Sequence, residues 1–285
     1  METYCDLHAH SYYSDGTFSP EQVLKAAEEA GLSAVALCDH NSVAGLPEFV
    51  SAGEGSPVEA VPGIEFSTDY QGTELHILAL FVRPEHYDPI QSLLEEGQRK
   101  KAQSNVLLVQ ALNRAGFVLD LEKIKAGTRD GYVNRAHIAT EMTRLGYTES
   151  VQAAFKTYLS PAKGFYTPPR WTDAFDTIRF IRSLGAVAVL AHPFLNLDEA
   201  RLRTFLPEAV AAGLTGMEVL YPKYDLRTTR LAGAMAEEFG LLPSGGSDFH
   251  GEAKPDIRIG VGRGELRIPT AWCGRLKNAA GFGKK

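Results

Sequence analysis

Cysteine is scarce: the 285-residue chain has three, Cys5, Cys38 and Cys273, and no CxxC pair. An odd, widely spaced set excludes a disulfide framework and suits a reducing compartment. No apolar run approaches the ~18 residues of a membrane-spanning helix. The first ten residues show neither a basic start nor an apolar stretch of the signal-peptide kind, so a cytoplasmic location is expected. Excess positive charge is also missing. Lys and Arg number 29 against 35 Asp and Glu, a net charge of −6, so no overall basic field recruits long duplex nucleic acid. A small anionic substrate would need local cations instead. Internal repeats and low-complexity tracts are absent too. With 44% hydrophobic and 22% charged residues, the composition is that of an ordinary globular chain.

What the sequence does have is a recurrent unit: a short apolar run ending in metal-ligand residue types. Tyr4 to His10 alternates like a strand, with Tyr4, Asp6, His8 and His10 on one face. Ser19-Pro20 opens a helix that stops at Gly31. Ala34 to Leu37 reads as a buried strand ending in Asp39-His40, and Val58 to Val61 as another that leads through Pro62-Gly63 to Glu65. Ile64 to Tyr70 and Thr73 to Val82 flank Gln71-Gly72 as a hairpin. A two-residue loop sets Glu65 opposite Leu78 and Ser67 opposite His76, which makes Glu65 and His76 diagonal neighbours on one face.

From Pro84 to Pro168 strand signals disappear. Helices are expected at Pro89 to Ala115, Asn134 to Leu145 and Ser150 to Leu159. The chain therefore divides into a barrel domain, 1–97 with 165–285, and a helical insertion, 98–164. Strand–helix alternation then resumes. A helix is expected at Ala174 to Ser183, and a buried strand at Ala186 to Ala191 that ends at His192-Pro193. A strand follows at Gly216 to Leu220, a helix at Thr228 to Phe239, and a strand at Leu241 to Gly245 that leads to Ser247-Asp248-Phe249-His250. About seven strands alternating with helices indicate an α/β barrel-like fold, in which chemistry sits at strand ends.

His8-Ala9-His10 points two imidazoles the same way from one strand. Asp15, His40, Glu65, His76, His192, Asp248 and His250 complete a set of nine N and O donors without a Cys. Such a set suits zinc, manganese or iron. It is too large for a three-ligand catalytic zinc site, and a cluster of two or three divalent ions with a bridging carboxylate accounts for it economically. Clusters of that kind serve phosphoryl displacement by activating water and neutralising phosphate charge. Glu218, inside a strand, is left undecided.

Asp6-Leu7-His8-Ala9-His10, Ser14-Asp15-Gly16, Cys38-Asp39-His40-Asn41, Pro62-Gly63-Ile64-Glu65, His76, Ala191-His192-Pro193 and Gly246-Ser247-Asp248-Phe249-His250 together resemble the ordered motifs of the PHP (polymerase and histidinol phosphatase) family. The resemblance implies a distorted seven-stranded (β/α) barrel with a trinuclear metal site. It places His8, His10, Glu65 and Asp248 on one metal, Glu65, His76 and His192 on a second with Glu65 bridging, and Asp15, His40 and His250 on a third. Asp15, Glu65, His192 and His250 are the expected catalytic residues. Asn41 stands where the family often has Asp, a change expected to tune the surroundings of the third site. Arg135-Ala136-His137 and the segment Gly164-Phe165-Tyr166-Thr167-Pro168-Pro169-Arg170-Trp171 resemble the nucleotide phosphoesterase subgroup, with Arg135 and His137 as substrate contacts. The implied activity is hydrolysis of 3′,5′-nucleotide bisphosphates such as pAp. The alternatives are 5′–3′ exonuclease action on short RNA, histidinol-phosphate hydrolysis, and a non-catalytic metal-binding module. The expected partner is a nucleotide phosphate or a short oligonucleotide, with no membrane involved, and the sequence leaves the oligomeric state open.

Overall fold

A computed structural model describes residues 2–128, 133–169 and 171–280. Arg170 of the 164–171 segment lies outside the described residues.

Nearly all the expected elements form. Strand β1 (Tyr4–Ala9) is followed by α1 (Pro20–Glu29), β2 (Ala34–Leu37) and α2 (Leu46–Ala52). The hairpin β3 (Glu59–Tyr70) and β4 (Thr73–Leu80) comes next. Its register pairs Glu65 with Leu78 and Ser67 with His76, as the two-residue loop requires. Helices α3 (Tyr87–Arg114), α4 (Leu121–Ala126), α5 (Arg135–Arg144) and α6 (Val151–Ala154) follow, and a wider turn, Phe155–Leu159, prolongs α6. Then come α7 (Ala174–Ser183), β5 (Val187–Leu190), α8 (Glu199–Ala212), β6 (Gly216–Leu220), α9 (Leu226–Glu238), β7 (Leu242–Gly245), β8 (Ile268–Pro269) and α10 (Thr270–Ala279).

The strands form one sheet in the order β7-β6-β5-β4-β3-β2-β1-β8. Past the end of β7 the chain returns to β1: Asp248 N donates to His8 O at 2.9 Å and His10 N to Phe249 O at 2.8 Å. Those two bonds close β1 to β7 into a seven-stranded ring. The two-residue β8 pairs antiparallel with the other end of β1, at Tyr4 and Cys5. β4 runs antiparallel to both its neighbours, which distorts an otherwise parallel barrel.

Burial explains the barrel's solidity. Cys5, Leu7, Ala36, Val61, Leu78, Val187 and Val189 are fully buried from successive strands. Each large apolar side chain removed from water contributes roughly 1.5–3 kcal/mol. Helices on the outer face bury Val23, Phe49, Ile178, Ile181 and Phe205 against the other strand face. Helices α3 to α6 gather a separate apolar cluster around Leu108, Leu112, Ile138, Met142 and Leu159. Helix α5 opens with Asn134 accepting from His137 N while His137 Nδ1 accepts from Asn134 N, so the cap is reciprocal.

Candidate metal centre

All nine expected ligands meet at one end of the barrel. Strand β1 delivers His8 inward, and His10 follows one residue past its end. Both are fully buried. The loop after β1 brings Asp15. It is pinned by Asp39, whose carboxylate accepts from Ser11 N at 2.8 Å, Ser11 Oγ at 2.7 Å and Ser14 Oγ at 2.7 Å. Burial raises the Asp39 carboxyl to about 6 despite those bonds. His40 and Glu65 lie side by side, because Asn41 N donates to Glu65 O and Glu65 N to Asp39 O. Register on β4 brings in His76, the end of β5 brings in His192, and the return from β7 brings in Asp248 and His250.

Glu65 is the hub. Its Oε2 lies 3.2 Å from His8 Nε2, 3.4 Å from His10 Nε2 and 3.0 Å from His40 Nδ1. Its Oε1 lies 2.8 Å from His76 Nδ1 and 3.0 Å from His192 Nε2. Five imidazoles thus surround one buried carboxylate. Burial alone would raise its pKa, but His40, His76 and His8 outweigh burial and hold the carboxyl well below the usual range. Asp15 faces His250 Nε2 at 3.2 Å and His40 Nε2 at 3.9 Å. Asp248 Oδ1 lies 3.3 Å from His10 Nε2 and 3.4 Å from His250 Nδ1. Burial, then the proximity of His250, pushes His10 well below the ordinary imidazole value, so its neutral, metal-ligating form is favoured.

Three groups bring donor atoms within 4.8 Å of one another: His10, Asp15, His40 and His250; His8, His10 and Glu65; and His40, Glu65 and His76. A stronger sign is what these atoms lack. His8 Nε2, both ring nitrogens of His10 and Glu65 Oε2 are buried, and although Glu65 Oε2 lies 3.2 Å and 3.4 Å from two of these nitrogens, none of the four atoms makes a hydrogen bond of regular geometry among the described residues. An unsatisfied buried polar atom costs about 1–3 kcal/mol, and a domain has only about 5–15 kcal/mol of net stability. Four such atoms in one knot fit a cation, which each of them could ligate.

Backbone conformation tells the same story. Asn41, His192 and Asp248 have positive φ of 48°, 28° and 55°. Such residues cost of order 1–3 kcal/mol and cluster at functional sites. Gly246 lets β7 come up against β1, since a Cβ there would sit 2.1 Å from that of His8.

Sequence reasoning left Glu218 undecided and missed Glu74, Tyr221 and Lys254. Glu218 is fully buried; its Oε1 meets His8 Nδ1 at 2.9 Å and its Oε2 accepts from His192 N. A carboxylate inside a five-residue buried strand was the available signal. Glu74 meets His76 Nε2 at 3.4 Å and Arg135 Nη2 at 3.6 Å. Burial opposes its ionisation, yet the His76 hydrogen bond and charge, with Arg135 and Lys101, lower its carboxyl to about 2. The guanidinium of Arg135 lies 4.2 Å from the Tyr166 ring centroid, and its Nη1 donates to Leu159 O. Arg135 therefore stands beside the cluster, linked to it through Glu74 and His76. Half-buried His137 sits at the same helix start, with Nδ1 engaged in the cap.

Comparison with known proteins agrees with this geometry. The PHP domain family matches residues 6–166. A 5′-3′ exoribonuclease of Haemophilus influenzae is 32% identical over 246 residues, covering 86% of this chain and 89% of that protein. A 3′,5′-nucleoside bisphosphate phosphatase of Chromobacterium violaceum is 28% identical over 264 residues, covering 88% and 90%. A solved structure from Bifidobacterium adolescentis, assigned as a metal-dependent phosphoesterase, superposes with a TM-score of 0.86 at 25% identity, covering 97% of this chain and 96% of that one. The chain is a member of the PHP domain family of metal-dependent phosphoesterases.

Proposed function

We propose that this protein removes one phosphate from 3′,5′-nucleotide bisphosphates of the pAp type, leaving a nucleoside monophosphate. In this reading His8, His10, Asp15, His40, Glu65, His76, His192, Asp248 and His250 hold two or three divalent ions, manganese, zinc or iron, with Glu65 shared. Bound there, the ions supply an activated water and neutralise phosphoryl charge. The protein's own part is orientation. Glu218 fixes the His8 ring and the His192 backbone, so that both rings aim at Glu65. Asp39 holds the loop that presents Asp15. Asp15, Glu65, His192 and His250 line the place where the scissile phosphate would sit.

Arg135 gives the reading its substrate. It is the first residue of α5, where the helix dipole favours an anion. Its guanidinium is braced by the Tyr166 ring and Leu159 O, and can bind a second phosphate bidentately. His137 shares that helix start. The observation that carries the proposal is this local cation beside a carboxylate–imidazole cluster, in a protein of net charge −6.

The 32% identity to an exoribonuclease favours a second reading, 5′–3′ trimming of short RNA by the same chemistry. A phosphate-release screen with added manganese separates the readings. It compares pAp, AMP, histidinol phosphate and 5′-phosphorylated di- to pentaribonucleotides, with nucleoside monophosphate release followed for the RNAs. The proposal expects pAp to give the highest kcat/KM. Faster release of mononucleotides from the RNAs would replace it with the second reading, and no turnover of any substrate would reject both.

A further inference from the structure

Asp248 divides its two carboxylate oxygens between different tasks. Oδ1 faces the cluster, 3.3 Å from His10 Nε2, 3.4 Å from His250 Nδ1 and 4.0 Å from His8 Nε2. Oδ2 faces away and accepts two bonds, from the Tyr221 hydroxyl at 2.8 Å and from Lys254 Nζ at 2.8 Å. These donors come from separate parts of the fold. Tyr221 follows the end of β6, while Lys254 ends the short turn after His250. Neither belongs to any motif that marked the nine ligands.

We infer that Tyr221 and Lys254 are positioning residues that fix the Asp248 carboxylate so that only Oδ1 is offered to a metal ion, an inference that rests on the metal reading above. The physical need is clear. The positive φ of Asp248 fixes where its Cβ points. Rotation about the bond to the carboxylate stays broad and its two oxygens are equivalent, so the backbone alone leaves the plane of the group free to present one oxygen or both. Two donors converging on one oxygen fix that plane and leave the other oxygen facing the cluster. They also satisfy the lone pairs facing away from the cluster, and the ammonium balances one of the three carboxylates among the nine expected ligands, Asp15, Glu65 and Asp248. Tyr221 is buried, with 4% of its surface exposed, so loss of this bond would leave a polar group in the interior without its partner. The Lys254 ammonium contacts one of the nine expected ligands directly, whereas the Arg135 guanidinium reaches the cluster only through Glu74 and His76.

The test uses the full chain stripped of metal and reloaded. Wild type, Tyr221→Phe, Lys254→Met and Lys254→Arg are titrated with manganese by calorimetry. The same proteins are loaded with cobalt, whose visible spectrum reports the coordination environment. Loss of an outer partner typically weakens metal binding about 10- to 100-fold. Tyr221→Phe is expected to show a loss in that range. Tyr221→Phe and Lys254→Met are both expected to shift the cobalt spectrum, and Lys254→Arg to keep it as in wild type. In steady state with manganese, kcat should fall more than KM rises. Wild-type spectra and affinity in both Tyr221→Phe and Lys254→Met would overturn the inference. So would a Lys254→Met variant with an unchanged spectrum and a raised KM, which would make Lys254 a substrate contact. Should Tyr221→Phe fail to fold, the contrast between Lys254→Met and Lys254→Arg decides alone. A wild type that takes up neither metal would defeat the metal reading and this inference together; equal uptake by wild type and variants defeats only the inference.

Discussion

Asn41 and Ser67 exchange two hydrogen bonds: Asn41 Nδ2 donates to Ser67 Oγ at 3.0 Å, and Ser67 N donates to Asn41 Oδ1 at 2.9 Å. This exchange gives Asn41 a physical role of its own. The amide faces β3 rather than the cluster, and its donor half has no counterpart in a carboxylate. The positive φ of Asn41 suits Asn, which tolerates the left-handed region. Asn41→Asp should therefore leave metal content unchanged and cost about 1 kcal/mol of stability, the worth of one hydrogen bond. Elemental analysis with denaturant titration checks both. A loss of one ion per chain would mean that position 41 does act on the third site.

Glu65→Gln keeps the side chain's shape and removes its charge. With five imidazoles around this one carboxylate, the variant should lose at least one metal ion and most of its turnover while keeping its fold. Metal analysis and circular dichroism on the same sample test this. Full metal content with near-normal activity would show that Glu65 is not the bridge.

Arg135→Ala should harm a 3′,5′-bisphosphate far more than a monophosphate. A lost charge-assisted contact is worth ~1.5–3 kcal/mol, roughly 10- to 150-fold in kcat/KM. Metal content should not change. The measurement is the ratio of kcat/KM for the two substrates in wild type and variant, and an unchanged ratio removes Arg135 from the substrate site.

Cys5, Cys38 and Cys273 are buried free thiols. Burial raises all three, Cys273 to about 12. A thiol reagent should label none of them in the native protein over the time in which it labels all three in urea. For Cys5 and Cys273 the folded state holds its protons above the ordinary value of 9.0, where the unfolded chain releases them. Their contribution to stability is thus complete below that pH and declines as pH rises beyond it. Rapid native labelling, or stability rising through that range, would contradict the burial.

The parts of the site written in local pattern were legible. Alternation placed His8 and His10, the two-residue loop set Glu65 and His76 on one face, and apolar runs ended at His40 and His192. What was hidden depends on pairing between distant segments. Pro62-Gly63 reads as a break, yet β3 runs through it from Glu59 to Tyr70. Proline is tolerated because parallel pairing with β2 reaches only that far, at Leu37. Glycine is needed because a Cβ at Gly63 would lie 2.9 Å from Cys38 Sγ and 3.0 Å from Ala79 O. Helix α8 carries Pro207 inside it, which interrupts the periodic signal. The two-residue β8 is too short to have one. Tyr221 reaches Asp248 from the end of another strand and Lys254 from the turn beyond His250, relationships that no periodic spacing encodes, whereas Glu74 shares β4 with His76 two residues away, and that spacing was the signal missed.

Nine residues from the barrel's strand ends are assigned to one cluster, so the number of ions each chain holds is the decisive measurement. The protein is stripped with a chelator, reloaded with manganese, zinc or iron, and analysed for ions per chain alongside phosphate release. Two or three ions per chain are expected, with loss of hydrolysis on stripping and its return on reloading. At most one ion after reloading, or hydrolysis undiminished by stripping, would contradict the assignment.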